Sequence, residues 1–224
     1  RAPLELVCFN INALNRTPER VLQYLLNDPP DAIALLEVTP RWRHALEALS
    51  TVYPFQHFSE RDDYFGIALW SRLPETRIIE RPHGAFGLPS LEAHFRHADQ
   101  TVRWIAFHPP PPIRPLLYRE QSRILDELGI QLASDPTIAT IVSGDWNLTP
   151  FSHRFRRFLA ERQLRDASVG HGFQPTWRSG PWNAIQLPID HFLVSPHWTV
   201  LDERVEGRYG SDHHALRIHL AIGR

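Results

Sequence analysis

The chain has 224 residues, 42% of them apolar and 22% charged, with 24 basic against 25 acidic side chains and a net charge of −1. That is enough chain to bury a sizeable core, and the composition excludes a largely disordered protein and any general pull toward nucleic acid or anionic membrane. With Cys8 as the single cysteine, an intrachain disulfide framework and a zinc ribbon are excluded as well.

Every basic residue is arginine. Without a lysine there is no P-loop or protein-kinase phosphate clamp and no Schiff base. There is no methionine, and the chain opens on Arg1, so a segment upstream, such as an export signal or a membrane anchor, is expected. The longest apolar runs, 65–70 and 32–36, fall far short of the roughly 20 residues that cross a bilayer. No internal repeat or flexible linker interrupts the chain, so residues 1–224 read as a single catalytic domain.

In chain order, residues 4–11 are apolar and suit a buried strand. Thr17-Pro18 supplies an N-cap and a first-turn proline for a helix whose stripe is Val21, Leu22, Leu25 and Leu26. Residues 32–37 form a second apolar strand, and Thr39-Pro40 starts another helix running to about Leu49. Extended segments follow at 52–58, 65–71, 77–80, 90–97 and 101–107. The fourth alternates Leu91, Ala93 and Phe95 with Glu92, His94 and Arg96. The proline tract Pro109 to Pro112 ends the preceding strand. A helix is expected over 116–132, a buried strand over 137–143, a helix over 152–163, and strands at 189–195, 200–205 and 214–222. This many strands calls for two packed sheets with helices outside.

Polar residues stand where the buried strands end: Asn10, Glu37, His108, Asp145 with Asn147, Asp190, and Asp212-His213. Singly, each is an ordinary turn, cap or loop residue. Together they put four carboxylates, two amides and two imidazoles at or beside strand ends, where unpaired acids are costly. A shared hard cation, Mg²⁺ or Mn²⁺, is the economical explanation, and such an ion polarises a phosphoryl oxygen. Asp145 and Asn147 are two apart, so in extended backbone they point the same way.

The series Phe9-Asn10-Ile11, Leu36-Glu37-Val38, Phe107-His108, Gly144-Asp145-Trp146-Asn147, Ile189-Asp190-His191-Phe192-Leu193 and Ser211-Asp212-His213 resembles the endonuclease/exonuclease/phosphatase superfamily, the deoxyribonuclease I-like fold. The resemblance implies an α/β four-layer sandwich, two central mixed β-sheets flanked by helices. It implies Mg²⁺- or Mn²⁺-dependent hydrolysis of phosphate esters, with Glu37 on the metal and Asn10 and Asp212 at or beside it. It places Asp145 and Asn147 on the attacking water and the phosphate, pairs Asp190 with His213, and sets His108 opposite as a second phosphate-facing histidine. The substrate class is a phosphate ester of nucleic acid, a lipid headgroup or a small molecule, and no lasting protein partner is implied; a monomer is expected.

Leu36 stands where many members have glutamine. His108 stands where abasic-site endonucleases tend to have tyrosine, which aligns the chain with the deoxyribonuclease, sphingomyelinase and phosphatase branches. The proline tract, the Arg119 and Gln121 helix, Leu164-Arg165-Asp166-Ala167 and Pro175-Thr176-Trp177 resemble a bacterial branch in which the catalytic domain follows inner-membrane helices. An extracytoplasmic domain of a membrane-anchored bacterial protein is the matching expectation, with the cytoplasm as the other location.

A calcineurin-like phosphatase, a zincin and an elbow-type serine hydrolase lack their motifs here. The alternative from another class is an inactive relative that binds a phosphorylated ligand. Arg154, Arg156, Arg157, Arg162 and Arg165 are expected on a solvated helix face, with Phe155, Phe158 and Leu159 inward. Trp177, Trp182 and Trp198 are expected in core or loop packing.

Overall fold

The computed structural model describes residues 2–133, 135–180, 182 and 184–223. Strand β1 (Leu4–Asn10) is followed by helix α1 (Pro18–Asn27) and by β2 (Ala32–Leu36), which lies parallel to β1 from Leu6↔Ala32 to Asn10↔Leu36. The same unit recurs later. Strand β7 (Gln100–Phe107), helix α3 (Pro115–Leu132) and β8 (Ala139–Asp145) give a second parallel pair, from Val102↔Ala139 to Phe107↔Gly144.

Each pair centres a six-stranded sheet. The first runs β13-β14-β1-β2-β4-β3, with β3 Phe55–Ser59, β4 Ile67–Ser71, β13 Trp198–Val205 and β14 Leu216–Ile222. The second runs β5-β6-β7-β8-β12-β9, with β5 Arg77–His83, β6 Leu88–His97, β9 Arg165–Asp166 and β12 Asp190–Val194. A separate hairpin joins β10 (Trp177–Ser179) to β11 (Ile185–Leu187).

The period of two along each strand decides the layers. In β1, Leu4, Leu6 and Cys8 face the other sheet, while Val7 and Phe9 lie under α1 with Val21 and Leu25. In β7, Val102, Trp104 and Ala106 face inward, while Ile105 and Phe107 meet Ile124, Leu125 and Leu128 of α3 and Phe155 and Phe158 of helix α4 (His153–Arg162). The result is the expected four-layer α/β sandwich: helix, sheet, sheet, helix. No helix among the described residues is long and apolar enough to cross a membrane.

Three expectations shift. Helix α2 covers Pro40–Ala45 and gives way to a 3₁₀ turn over Glu47–Thr51. Strand β3 starts at Phe55 instead of at 52, because Tyr53 is buried with its hydroxyl on the Pro30 carbonyl and Pro54 has no N–H for a ladder. Thr17 precedes α1 without capping it; its hydroxyl lies 3.1 Å from the Tyr209 carbonyl. Trp198 packs in the core, as expected, as a fully buried residue of β13.

Candidate active site

The inward rows of four strands end in polar residues. After Leu4, Leu6 and Cys8 the next inward position is Asn10, and after Val102, Trp104 and Ala106 it is His108. After Ala139 and Ile141 the row of β8 ends at Ser143 and Asp145, while β12 begins it with Asp190 before Phe192 and Val194. Asp190 pairs directly with Asp145 across the sheet. Asn10, His108, Asp145 and Asp190 are all buried. The site is therefore the open end of the inter-sheet core, at the carboxyl ends of both parallel pairs, where open α/β sheets place ligands.

Asp145 lies at its centre. Its Oδ1 accepts from the Asn147 backbone N–H at 2.9 Å, and its Oδ2 accepts from Asn10 Nδ2 at 3.2 Å. The same oxygen lies 3.4 Å from His108 Nε2 and 3.6 Å from His213 Nε2. His213 Nδ1 is bonded to Asp190 Oδ2 at 2.8 Å. Asn147 Nδ2 donates to the Pro109 carbonyl at 3.0 Å and sits 3.4 Å from His108 Nε2, which ties the His108 turn to β8.

Burial works against charge on His213, but Asp190 and Asp145 outweigh it and raise its pKa to about 10. His108 is likewise raised despite burial, chiefly by its contact with Asp145. Burial pushes Asp145 up, yet the fields of His213 and His108 hold it below the usual carboxylate range. At neutral pH the arrangement is thus a carboxylate flanked by two imidazoles, of which His213 is cationic.

On the other side, Asn10 Nδ2 also donates to Glu37 Oε1 at 3.0 Å, and Glu37 Oε2 accepts from the Ala13 N–H at 2.9 Å. Asp212 is one residue further out. Its Oδ1 accepts from Asn12 Nδ2 at 2.7 Å and its Oδ2 from the Trp177 indole at 2.9 Å. Glu37, Asn12 and Asn147 hold positive φ values of 64°, 59° and 51°. A glutamate in that region is strained, and strain of this kind collects at functional sites.

All the residues singled out from the sequence therefore meet in one contiguous cluster, Asp212 through Asn12. The groups to which the sequence motifs gave no role of their own are Asn12, Thr176 and Ser211. Thr176 Oγ1 accepts from the Ile189 and Asp190 N–H groups, fixing the start of β12, and Ser211 Oγ donates to the Asn10 carbonyl. Trp177, read as packing, is an oxygen-directing donor to Asp212, and Trp182 is 97% exposed. His214 turns away, its Nδ1 on the Glu206 carbonyl at 2.6 Å. On α4, Phe155 and Phe158 are buried as expected; Arg157 pairs with Glu161, while Arg154 stacks on Tyr118 at 3.8 Å.

The donor set bears on a cation. The ligand-type atoms of Asp145, Asp190 and His213 fall within 4.8 Å of one another, but His213 there already carries a proton between two carboxylates. Glu37 forms no ion pair among the described residues, and its carboxylate, which accepts from the Asn10 amide and the Ala13 N–H, is the kind of oxygen ligand a hard cation takes.

This architecture and cluster match the model of the Endonuclease/Exonuclease/phosphatase family over residues 7–213, and the chain belongs to that family. Members of the family are phosphoesterases and generally use a divalent metal. Among solved structures, endonuclease/exonuclease/phosphatase from Beutenbergia cavernae superposes with a TM-score of 0.76 at 19% identity, covering 100% of this chain and 72% of that one. The human Nocturnin catalytic domain gives 0.76 at 18% identity over 100% and 96% of the two chains. The 3′ phosphatase NExo from Neisseria, solved with a product DNA hairpin, gives 0.73 at 17% identity over 99% and 100%. No curated protein sequence matches the chain.

Proposed function

We propose that the protein is a divalent-metal-dependent phosphoesterase that cleaves a phosphodiester or phosphomonoester. The observation that carries this reading is Asp145 Oδ2, set 3.4 and 3.6 Å from the Nε2 atoms of His108 and His213. A carboxylate between two imidazoles can take a proton from water while cationic N–H groups receive the phosphoryl oxygens.

In this reading Asp145 orients the attacking water and accepts its proton, and the Asn147 N–H fixes the carboxylate's direction. His213 offers Nε2–H to a phosphoryl oxygen, and Asp190 keeps its ring charged and aligned. His108 offers a second donor through Nε2–H, and Asn147 holds its turn by donating to the Pro109 carbonyl. Glu37 would hold the metal, with Asn10 bridging it to Asp145 and Asp212 aligned through Asn12. A bound Mg²⁺ or Mn²⁺ supplies neutralisation of charge at the phosphoryl oxygens. That two structural neighbours were solved with DNA products supports a phosphate-ester substrate.

The test is hydrolysis of bis(p-nitrophenyl) phosphate with Mg²⁺ or Mn²⁺ and with EDTA, on the wild type and Glu37→Gln. Metal-dependent turnover is expected, lost in the variant together with divalent binding while the melting temperature stays close to wild type. Turnover unaffected by EDTA would overturn the metal dependence, and no turnover at all with phosphate binding retained would replace this reading by the binding protein.

A further inference from the structure

Strand β12 carries a second histidine–carboxylate pair, which the mechanism above leaves unused. Asp190 looks into the cleft; His191, the next residue, faces the opposite side of the sheet, toward α4. Its Nδ1 lies 3.1 Å from Asp166 Oδ2 on β9, and its Nε2 lies 3.0 Å from the Leu148 carbonyl oxygen. Both residues are buried, and the Phe155 ring of α4 is 4.5 Å from the imidazole.

Both partners of His191 are acceptors. A neutral imidazole has one N–H and serves one of them, so the two bonds coexist only in the imidazolium form. Burial pushes Asp166 up, but the hydrogen bond and charge of His191, with the Ser168 N–H, hold it below the usual carboxylate range. The neighbouring acid is Glu203. Trp198 and Val200 of β13 face the inter-sheet core, the register slips between Val200 and Asp202, and beyond the slip Glu203 points inward where a regular strand would turn it to solvent. Burial, reinforced by Asp166 and Asp202, pushes Glu203 up to about 8, so at neutral pH it is uncharged. The ion pair is therefore His191 with Asp166.

What the pair holds is the turn behind Asp145. After β8 ends, the Trp146 N–H donates to the Ile189 carbonyl at 2.8 Å, Asn147 takes a φ of 51°, and the Leu148 carbonyl is taken by His191. The turn is thus tied on both sides of Asn147, by His191 and by the residue that leads into β12. A non-glycine residue keeps a left-handed conformation where its surroundings over-determine it. In that conformation the Asn147 N–H meets Asp145 Oδ1 at 2.9 Å.

We propose that His191 and Asp166 are a positioning pair for the catalytic base: by holding the Leu148 carbonyl they keep the Asn147 turn in the shape that aims its N–H at Asp145. The inference rests on the phosphoesterase reading, in which Asp145 takes the proton of the attacking water. Without the bond from His191 the Leu148 peptide is free to rotate, Asn147 returns to ordinary backbone angles, and its N–H leaves the carboxylate. Strand β12 then serves the site from both faces. Asp190 aligns the ring that meets the phosphate, and His191 aligns the backbone that directs the base. The charge of Asp166 is dispensable in this role, provided that its replacement offers His191 Nδ1 a hydrogen and leaves Nε2–H on Leu148.

The test measures bis(p-nitrophenyl) phosphate hydrolysis per folded molecule, and hydrogen exchange of the Asn147 amide, in the wild type, His191→Phe, Asp166→Asn and the double variant. His191→Phe keeps a ring against Phe155 but releases Leu148; kcat should fall roughly 10- to 100-fold, the scale of a misplaced catalytic group, with KM little changed. Asp166→Asn keeps an oxygen for the Ser168 N–H and gives Nδ1 an amide N–H, so kcat should stay close to wild type. The double variant leaves no buried carboxylate unpaired; it should match His191→Phe in kcat and decides the matter if that variant does not fold. A pair that only stabilises the fold would lower the melting temperature and leave kcat per folded molecule unchanged, which overturns the positioning role; so does a loss in Asp166→Asn as large as in His191→Phe. If the wild type hydrolyses nothing, the phosphoesterase reading has failed and amide exchange still decides the clamp. The Asn147 N–H should exchange about tenfold faster or more in His191→Phe than in the wild type and in Asp166→Asn, and equal rates overturn it.

Discussion

The pair Asp190–His213 should behave as one unit, in turnover and in stability alike. His213 Nδ1 and Asp190 Oδ2 are 2.8 Å apart and both residues are buried. Removing either partner of a buried charged pair costs about 3–5 kcal/mol, because the other is left uncompensated. For a chain of this size, that is about 2–4 °C of melting temperature per kcal/mol, so each of Asp190→Ala and His213→Ala should melt roughly 6–20 °C lower. The double variant removes both charges and should melt higher than the sum of the single losses predicts. Turnover should fall about 10²–10⁴-fold in each single variant, the span of acid–base help. The double variant should lose little more than the worse single one, since the two act together. His214→Ala is the control: its ring faces the Glu206 carbonyl, and most activity should remain. The assay is metal-dependent phosphodiester hydrolysis per folded molecule, alongside thermal melting. Near-normal turnover in the folded fraction of either single variant, or turnover losses that multiply in the double one, would refute the unit.

Three more outcomes follow from geometry. Trp177→Phe removes the indole donor 2.9 Å from Asp212 Oδ2 and should lower turnover about tenfold with the fold intact, on the scale of a hydrogen bond to a charged group; circular dichroism and steady-state kinetics check it, and unchanged turnover disproves it. Gly144→Ala would bring a Cβ within 1.9 Å of the Phe107 carbonyl, so a stability loss of about 1–3 kcal/mol or more is expected in denaturant melts, and none would mean that the strands part easily. Glu203 sits folded at about 8 against an ordinary 4.5; its folded pKa is the higher one, so the stability it confers is full below about 4.5 and is lost as pH rises through about 8. The span is on the order of 5 kcal/mol, and Glu203→Gln should flatten the melting temperature against pH between 5 and 8, whereas parallel curves for the two proteins would contradict the assignment.

The strands and the main helices were legible because their apolar residues recur at periods of two and of three to four. The functional cluster was legible because polar residues broke those runs at their ends: Asn10 after Cys8, Asp145 after Ile141. Thr176 and Ser211 escaped because their work is done through backbone N–H and carbonyl groups that no side-chain pattern announces. Strand β9 and the β10–β11 hairpin are too short for a period to register. Glu203 was hidden by the slip after Val200, since straight alternation assigns it to solvent. The Thr17 cap failed because the hydroxyl had a stronger claim elsewhere, on the loop that carries Asp212.

Because Asn10, His108, Asp145 and Asp190 each continue the inward row of a strand, the molecule partitions its tolerance of length change. One residue inserted into β8 ahead of Ser143 would rotate Asp145 to the side of Val142, among the helices, and would do so without altering a single apolar side chain. The same residue inserted in the 168–174 loop or after Pro110 leaves every strand in phase and changes only what approaches the cleft. Deletion scanning should therefore divide the chain cleanly. A one-residue insertion or deletion inside β1, β7, β8 or β12 should abolish chemistry, whereas rim loops exchange one specificity for another on an unmoved catalytic frame.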